Sequence, residues 1–332
     1  MSSSCAPETG SRASPRPLAA RAAAELAGPI PEAARLLGDS LLARFGDATV
    51  AVLFYGSCLR RQSAEGVLDF YVLVDDYRHA YDSRGLAWLN RMLPPNVHYQ
   101  EQDAGPTRLR AKVAVLSLGD FEEAVATSWP EARVWARFAQ PARLVWARDA
   151  VVRERVGEAV ADAMQSFVSH APAWCDEADG EVPFSAEPFW TRAFAETYGA
   201  ELRAESDETV AALYAAAPDR YGAVLDEALV ELAKGGAFEH QRTEGGHRIR
   251  LAPGAGARAR RSWHRRRRAG KVVATLGLLK CVFTFDDWAG YGLWKLERHR
   301  GAPIELTDRQ RRHPLLLGWP VLFRLLRERT LR

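Results

Sequence analysis

A serine and an aspartate in the first third of the chain have the types and spacing that phosphate and metal chemistry requires. Gly56-Ser57 ends one apolar segment, and Asp69 lies twelve residues after Ser57, near the start of a second apolar segment at 67–74. A carboxylate inside such a segment loses its hydration unless a cation replaces the water. A salt bridge is the common way to supply that cation, and a bound metal ion is the alternative.

The Gly56-Ser57 turn offers a place for phosphate groups. Glycine lets the backbone approach a ligand closely because it has no Cβ, and a serine hydroxyl together with the free amides of a following helix can hold phosphate oxygens. If the two segments pair as strands, a divalent cation on Asp69 would bridge carboxylate and phosphate, as phosphoryl or nucleotidyl transfer requires. Gly-Ser turns are also common without a ligand, and the spacings of a P-loop and of a dinucleotide fingerprint are absent.

The elements that must position these residues are predicted to form a small mixed sheet with helices, of the α/β or α+β class. Glycine and proline pairs punctuate the apolar segments and set their limits. The predicted strands are 47–55, 67–74, 97–102, 111–117 and an edge strand at 142–147, and the predicted helices are 30–45, 77–92, 119–128 and 131–137.

From residue 150 onward the pattern becomes mainly helical. A predicted hairpin, 238–240 with 247–251, follows these helices, so the region resembles a winged-helix unit. The predicted domains are a disordered tail at 1–17, a sheet domain at 18–149, a helical domain at 150–252 and a basic C-terminal helical region at 253–332. Further predicted helices are 151–170, 187–205, 220–233, 272–285 and 288–298, with 253–268 as a linker.

Several segments of this sequence resemble a known family. Tyr55-Gly56-Ser57, Leu68-Asp69-Phe70 and Val74-Asp75-Asp76 are similar to the nucleotide-binding core of polymerase-β-like nucleotidyltransferases. The closer resemblance is to the mitochondrial-type CTP:phosphatidate cytidylyltransferases, the translocator assembly and maintenance family. Residues 93–99 and 112–117 are similar to two further segments of that family, and Gln140-Pro141 stands where its members carry Lys-Pro. The resemblance covers about 51–149 well and the remainder weakly.

The resemblance implies a reaction in which CTP and phosphatidic acid give CDP-diacylglycerol and pyrophosphate, with Mg²⁺ as cofactor. It implies that Tyr55, Gly56 and Ser57 bind the nucleotide, that Asp69 holds Mg²⁺ and that Lys112 neutralises phosphate charge.

Arg60 and Arg61, just after the turn, are either triphosphate contacts or part of a solvated basic surface. The wider fold usually places a second acid two residues after the first, and this chain has Tyr71 there. The metal would then depend on water and phosphate oxygens, with Glu101 or Asp103 as a further ligand. The sequence does not choose between these two.

A marked excess of basic residues lies in the last quarter of the chain. Residues 241–332 carry 22 Lys and Arg against 7 Asp and Glu, whereas residues 1–240 carry 23 against 35. This excess predicts an anionic partner, here phosphatidic acid and an anionic membrane surface. Nucleic acid is an alternative, but no recognition motif accompanies the basic cluster. The predicted lipid contacts are Arg265, Arg266, Arg267, Arg268, Trp319, Arg324 and Arg327.

The predicted contacts after residue 318 belong to a segment with the pattern of an interfacial amphipathic helix, although a helix docked on the protein's own core has the same pattern. The four cysteines are scattered, so neither a zinc site nor a disulfide framework is indicated. No signal peptide or membrane-spanning segment is recognised. The expected location is therefore cytoplasmic, at the membrane surface.

Three functions follow as hypotheses. The first is a phosphatidate cytidylyltransferase at the membrane surface. The second is a nucleotidyltransferase that acts on RNA, a protein or a small molecule. The third is a nucleotide-binding relative without catalysis, for which Tyr71 is the main argument.

Overall fold

A computed structural model describes residues 16–105, 107–201 and 206–284. These residues divide into two compact units whose segments alternate along the chain. A sheet unit contains Ile30–Phe121, Leu144–Arg148 and residues 271–284, and a helical unit contains residues 16–29, Glu122–Arg143 and Asp149–Gly270. This division differs from the predicted domain limits at 18, 149 and 252, because it assigns residues near both ends of the predicted sheet domain to the helical unit.

A five-stranded mixed sheet forms the centre of the sheet unit, as predicted. Its strands lie in the order β3-β4-β2-β1-β5, so the predicted edge position of residues 142–147 is confirmed. β2 pairs in parallel with β4 and antiparallel with β1, and β3 pairs antiparallel with β4. The bounds are β1 Thr49–Tyr55, β2 Leu68–Val74, β3 Asn96–Ala104, β4 Thr107–Ser117 and β5 Ala142–Ala147.

The two faces of this sheet differ in what they pack against. Phe54, Phe70 and Val113 point to one face, where they join a buried core with residues of the helix Glu32–Phe45. Side chains alternate along a strand, so the adjacent residues Tyr55, Asp69 and Lys112 point to the opposite face. The helices here are α2 Glu32–Phe45, α3 Ser57–Arg61, α4 Tyr77–Ala80, α5 Arg84–Met92 and α6 Leu118–Ala124.

The segment 77–92, predicted as one helix, is two helices. The side chain of Asp76 accepts a hydrogen bond from the amide of Arg78 and starts α4, and the Ser83 hydroxyl accepts from the amide of Leu86 at 3.3 Å and starts α5. Between them Tyr81 is extended. Each N-cap favours a new helix start, and the apolar periodicity alone did not show this interruption.

The helical unit is built around α8, which packs against α1, α7 and α12. Its small sheet has the order β6-β8-β7. The predicted hairpin is confirmed as β7 and β8, whereas β6 was missed because it has four residues and contains Pro183. The bounds are α1 Pro17–Leu26, α7 Arg133–Phe138, α8 Ala150–Val168, α9 Ala171–Trp174, α10 Ala186–Gly199, α11 Asp207–Ala215, α12 Pro218–Lys234, β6 Glu181–Phe184, β7 Glu239–Thr243 and β8 Gly246–Arg250.

The predicted linker at 253–268 is wrong, because the helix α13 runs from Ala255 to Thr284. Gly254, with φ +71°, makes the turn before it, and arginine is a good helix former. Trp263 is buried and donates its indole N–H to Glu196 at 2.9 Å. The predicted helix at 288–298 and the segment 319–332 lie outside the described residues.

Asn90 connects α5 to the sheet and gives a test of this packing. It is fully buried, its amide donates to the carbonyl of Val115 at 3.1 Å, and its oxygen accepts from the amide of Asn96. Asn90→Leu should lower the free energy of unfolding by about 2 to 3 kcal/mol, since it leaves buried backbone groups without these partners. Urea denaturation measures this loss. Arg84→Leu on the exposed side of α5 is the control, expected to change stability by about 0.5 kcal/mol or less.

His170 predicts a pH dependence of stability. Its ring stacks on Trp135 and Trp174 at centroid distances of 4.9 and 5.3 Å, and burial, with the nearby Arg266 charge, lowers its pKa to about 4. The unfolded chain, with an ordinary pKa of about 6.5, binds the proton more readily. The free energy of unfolding should therefore fall by about 2 to 3 kcal/mol as pH falls from about 6.5 to 4. His170→Phe should flatten this slope, and an unchanged slope in the variant would contradict the assignment.

Candidate functional site

Four residues form a row across the face of the sheet opposite α2. Asp69 on β2 is in register with Tyr55 on β1 and with Lys112 on β4, and Lys112 is in register with Tyr99 on β3. Neighbouring strands lie about 4.8 Å apart, so residues in register are adjacent on the same face. The row therefore places Asp69 and Lys112 on adjacent strands, with a tyrosine on either side.

The carboxylate of Asp69 lies directly against Gly56. A Cβ added to Gly56 would lie 2.5 Å from Oδ2 of Asp69 and 3.3 Å from its Cγ. Gly56 has φ +90° and ψ −163°, a backbone conformation that is nearly restricted to glycine. Glycine is thus required here for two reasons, and the carboxylate and the Gly56-Ser57 turn share one side of the sheet.

Ser57 and the residues after it complete the turn. Ser57 begins the short helix α3, which has no side-chain N-cap. The Arg61 guanidinium donates to the Ser57 hydroxyl at 3.4 Å and is otherwise exposed. Arg60 is half-buried on the same helix. The predicted nucleotide contacts therefore lie on one continuous segment beside Asp69.

Cys58 follows Ser57 directly but is a packed thiol. Its Sγ donates to the carbonyl of Val67 at 3.3 Å, and burial raises its pKa, with a further contribution from the negative charge of Asp69. A thiol with a raised pKa is a poor nucleophile.

The side chain of Lys112 is half-buried and makes no hydrogen bond or ion pair within the part of the chain that the structure describes. A lysine that is partly removed from water and lacks an anionic partner is suited to receive an anionic ligand. Its neighbour two residues earlier, Arg110, lies on the same face and donates to Glu101 at 3.1 Å. Sequence reasoning gave Tyr99 no role, because only the register of β3 and β4 brings it beside Lys112. It also missed Arg110, although the alternation of side chains along β4 places Arg110 on the same face as Lys112.

The site offers few carboxylates to a metal ion. Tyr71, where the wider fold usually has a second acid, is buried with its ring 5.4 Å from that of Tyr55. Glu101 accepts hydrogen bonds from Tyr99 at 2.7 Å and from Arg108 and Arg110, and Asp103 also pairs with Arg108. Neither acid is left for a metal without breaking these contacts.

Within the described residues no group of three or more metal-ligating side chains occurs. Mg²⁺ is usually held by one or two carboxylates together with phosphate oxygens and water. Gly56 has no Cβ, so the Asp69 carboxylate can lie against its backbone. One carboxylate fits a magnesium ion that binds together with a triphosphate. A single carboxylate does not fit a magnesium ion held by protein ligands alone.

Asp75 and Asp76, which belong to the resembling segments, lie at the other end of β2. Asp75 is 3.3 Å from His79 and 3.8 Å from Arg148, and Asp76 caps α4. An open depression of about 430 Å³ is lined there by residues that include Asp47, Asp75 and His79. Asp75 follows the last residue of β2 whereas Asp69 is its second, so this depression is separate from the candidate site.

The predicted lipid contacts on α13 fall into two groups. Arg265 and Arg268 are exposed. Arg266 donates to the carbonyl of Thr127 at 2.5 Å, and Arg267 donates to that of Gly199 at 3.2 Å. Burial lowers the pKa of Arg266, so two of these four arginines contact the protein itself. The other predicted contacts, Trp319, Arg324 and Arg327, lie outside the described residues.

No protein-family model matches the chain, and a search of curated proteins finds no similar sequence. The described helices include none that is long and apolar enough to cross a bilayer.

The contact between Gly56 and Asp69 predicts an unequal response to alanine. Gly46→Ala should cost about 2 kcal/mol through backbone strain alone, because Gly46 has φ +53° and ψ −140° but nothing within 4 Å of an added Cβ. Gly56→Ala should cost about 3 kcal/mol, since the strained backbone and the overlap with Asp69 add together. Urea denaturation compares the two variants. Equal losses would mean that the carboxylate does not occupy the space beside Gly56.

Proposed function

We propose that this protein is a CTP-dependent phosphatidate cytidylyltransferase, which makes CDP-diacylglycerol and pyrophosphate from CTP and phosphatidic acid. The observation that carries the proposal is the place of the Asp69 carboxylate, against the backbone of Gly56 and in register with Lys112. A carboxylate, a glycine-serine turn and a lysine side chain without a described partner are the groups that nucleotidyl transfer needs in one place.

In this reaction an oxygen of the phosphatidate phosphate forms a bond to the α-phosphorus of CTP, and the bond from that phosphorus to pyrophosphate breaks. Catalysis of such a step consists mainly of positioning and of neutralising charge. Magnesium, when bound, neutralises charge on the phosphate oxygens. Asp69 would hold the metal, and the turn at Gly56 and Ser57 would position the triphosphate.

The basic residues have separable roles in this proposal. Arg60 and Arg61 lie on α3, directly after the turn, and would contact the triphosphate. Lys112 lies on the far side of Asp69 from Tyr55, so it would neutralise charge on the reacting phosphates. As a flexible point charge it can follow a phosphate whose geometry changes during the reaction.

A second candidate is a nucleotide-binding protein of this fold without catalysis. The burial of Tyr71 against Tyr55 favours it, since the position is filled by packing and cannot supply a second carboxylate. This candidate shares the binding of a magnesium nucleotide with the first. The two differ in whether pyrophosphate is released.

Pyrophosphate release distinguishes these candidates. Purified protein with Mg²⁺, CTP and vesicles containing phosphatidic acid should release pyrophosphate. Asp69→Asn should lower kcat by about 100-fold or more, because the metal loses its charged ligand. Lys112→Met should lower kcat/KM by about tenfold or more, through weaker neutralisation of phosphate charge. Asp75→Asn, which removes a surface carboxylate at the other end of β2, is the matched control and should retain activity.

Equal rates in Asp69→Asn and Asp75→Asn would remove the proposed catalytic site. Binding of magnesium CTP without pyrophosphate release, measured by calorimetry on the same preparation, would favour the non-catalytic candidate. Faster release with ATP or GTP than with CTP would contradict the assignment of the nucleotide.

A further inference from the structure

Five large apolar side chains on two helices of the sheet unit are exposed. Trp88 and Met92 on α5 are 61% and 63% exposed, and Val272, Leu276 and Leu279 on α13 are 60%, 48% and 62% exposed. Residues three or four apart share one side of a helix, so each helix presents an apolar stripe. Contiguous exposed apolar patches are uncommon on soluble monomers and mark interaction sites.

The two stripes border a single junction. Lys280 on α13 is only 5% exposed, and its ammonium group donates to the carbonyls of Pro95, at 2.7 Å, and Leu93. Met92 precedes Leu93, and Leu279 precedes Lys280. The hydrogen bonds thus hold the end of α5 beside the α13 stripe, and we call Trp88, Met92, Val272, Leu276 and Leu279 the α5–α13 surface.

The charged side chains on the two helices of this surface have one sign. Neither α5 nor α13 contains an aspartate or a glutamate, although α13 has 30 residues. Arg84, Arg91 and Lys271 on these helices are exposed. Helices that lie in the interface of an anionic bilayer carry basic residues beside tryptophan and leucine. Their apolar side chains enter the acyl region, and their cations face the head groups.

We propose that the α5–α13 surface docks on an anionic phospholipid bilayer. Its charge complementarity and its tryptophan favour this occupant over a second copy of the chain, which would bring like charges together. The proposal rests on the proposed function only for the expectation that the bilayer also carries the lipid substrate. It assigns docking to residues other than the arginines and the tail segment that the sequence indicates.

Co-sedimentation with vesicles tests the assignment. Wild-type protein should bind phosphatidylcholine vesicles that contain phosphatidic acid or phosphatidylglycerol. Its binding to vesicles of pure phosphatidylcholine should be weaker by about tenfold or more. The double variant Trp88→Ser/Leu279→Ser should lose about tenfold or more in binding to the anionic vesicles. Val151→Ser is the control, because Val151 on α8 is 65% exposed but lies in the helical unit, and it should bind as wild type does.

Wild-type binding by the double variant, or an equal loss in Val151→Ser, would overturn the docking proposal. Light scattering that shows a wild-type dimer and a monomeric double variant would assign the surface to a second copy and would also overturn it. Pyrophosphate release by wild-type protein from a short-chain phosphatidic acid in free solution is measured separately. Docking without this release would contradict the proposed function alone, and release without docking would contradict the surface alone.

Discussion

The contact between the Asp69 carboxylate and the backbone of Gly56 is the constraint on which the chemistry of this protein depends. This contact places a negative charge beside the turn that follows β1. Any other residue at position 56 has a Cβ, which would displace the carboxylate. The rest of the sheet determines that the contact forms. A slip of β2 by one residue would turn Asp69 into the core and Phe70 out of it. Packing of Phe70 on the α2 face therefore holds the Asp69 carboxylate on the opposite face of the sheet.

The two faces of the sheet thus have different tasks. The α2 face is largely apolar around Phe54, Phe70 and Val113, and it supplies the burial that fixes register. The opposite face carries the row of polar groups, but it is not uniformly polar, since Tyr71 packs near both Tyr55 and Phe121. This aromatic packing stabilises the opposite face at the position where a second acid would otherwise stand. A metal at Asp69 would then depend on its nucleotide for most ligands, which couples metal binding to nucleotide binding.

The sequence predicted the sheet because its strands are apolar and lie between glycine and proline turns, and it predicted Asp69 because a lone acid in such a strand is unusual. The place of Tyr99 could not be predicted, since it reaches Lys112 only through the register of β3 and β4. Arg110 could have been predicted from the alternation of side chains along β4. The domain limits differ for a related reason. Assignment of residues 16–29 to the helical unit follows from packing of α1 on α8, far along the chain, and no local pattern encodes such a partner.

The contacts of the basic residues of α13 also could not be predicted from the sequence. Sequence counts treat each cation as available to an anionic partner, but Arg266, Arg267 and Lys280 donate to backbone carbonyls of the protein itself. Each of these hydrogen bonds is charge-assisted and satisfies a carbonyl that lacks a helix or strand partner on that side. Cations held in this way keep their charge but are not free to contact a lipid head group, whereas the exposed Lys271 is. Fewer direct head-group contacts are therefore available than the composition suggests, and the apolar stripe of α13 must supply a correspondingly larger part of any attachment to lipid.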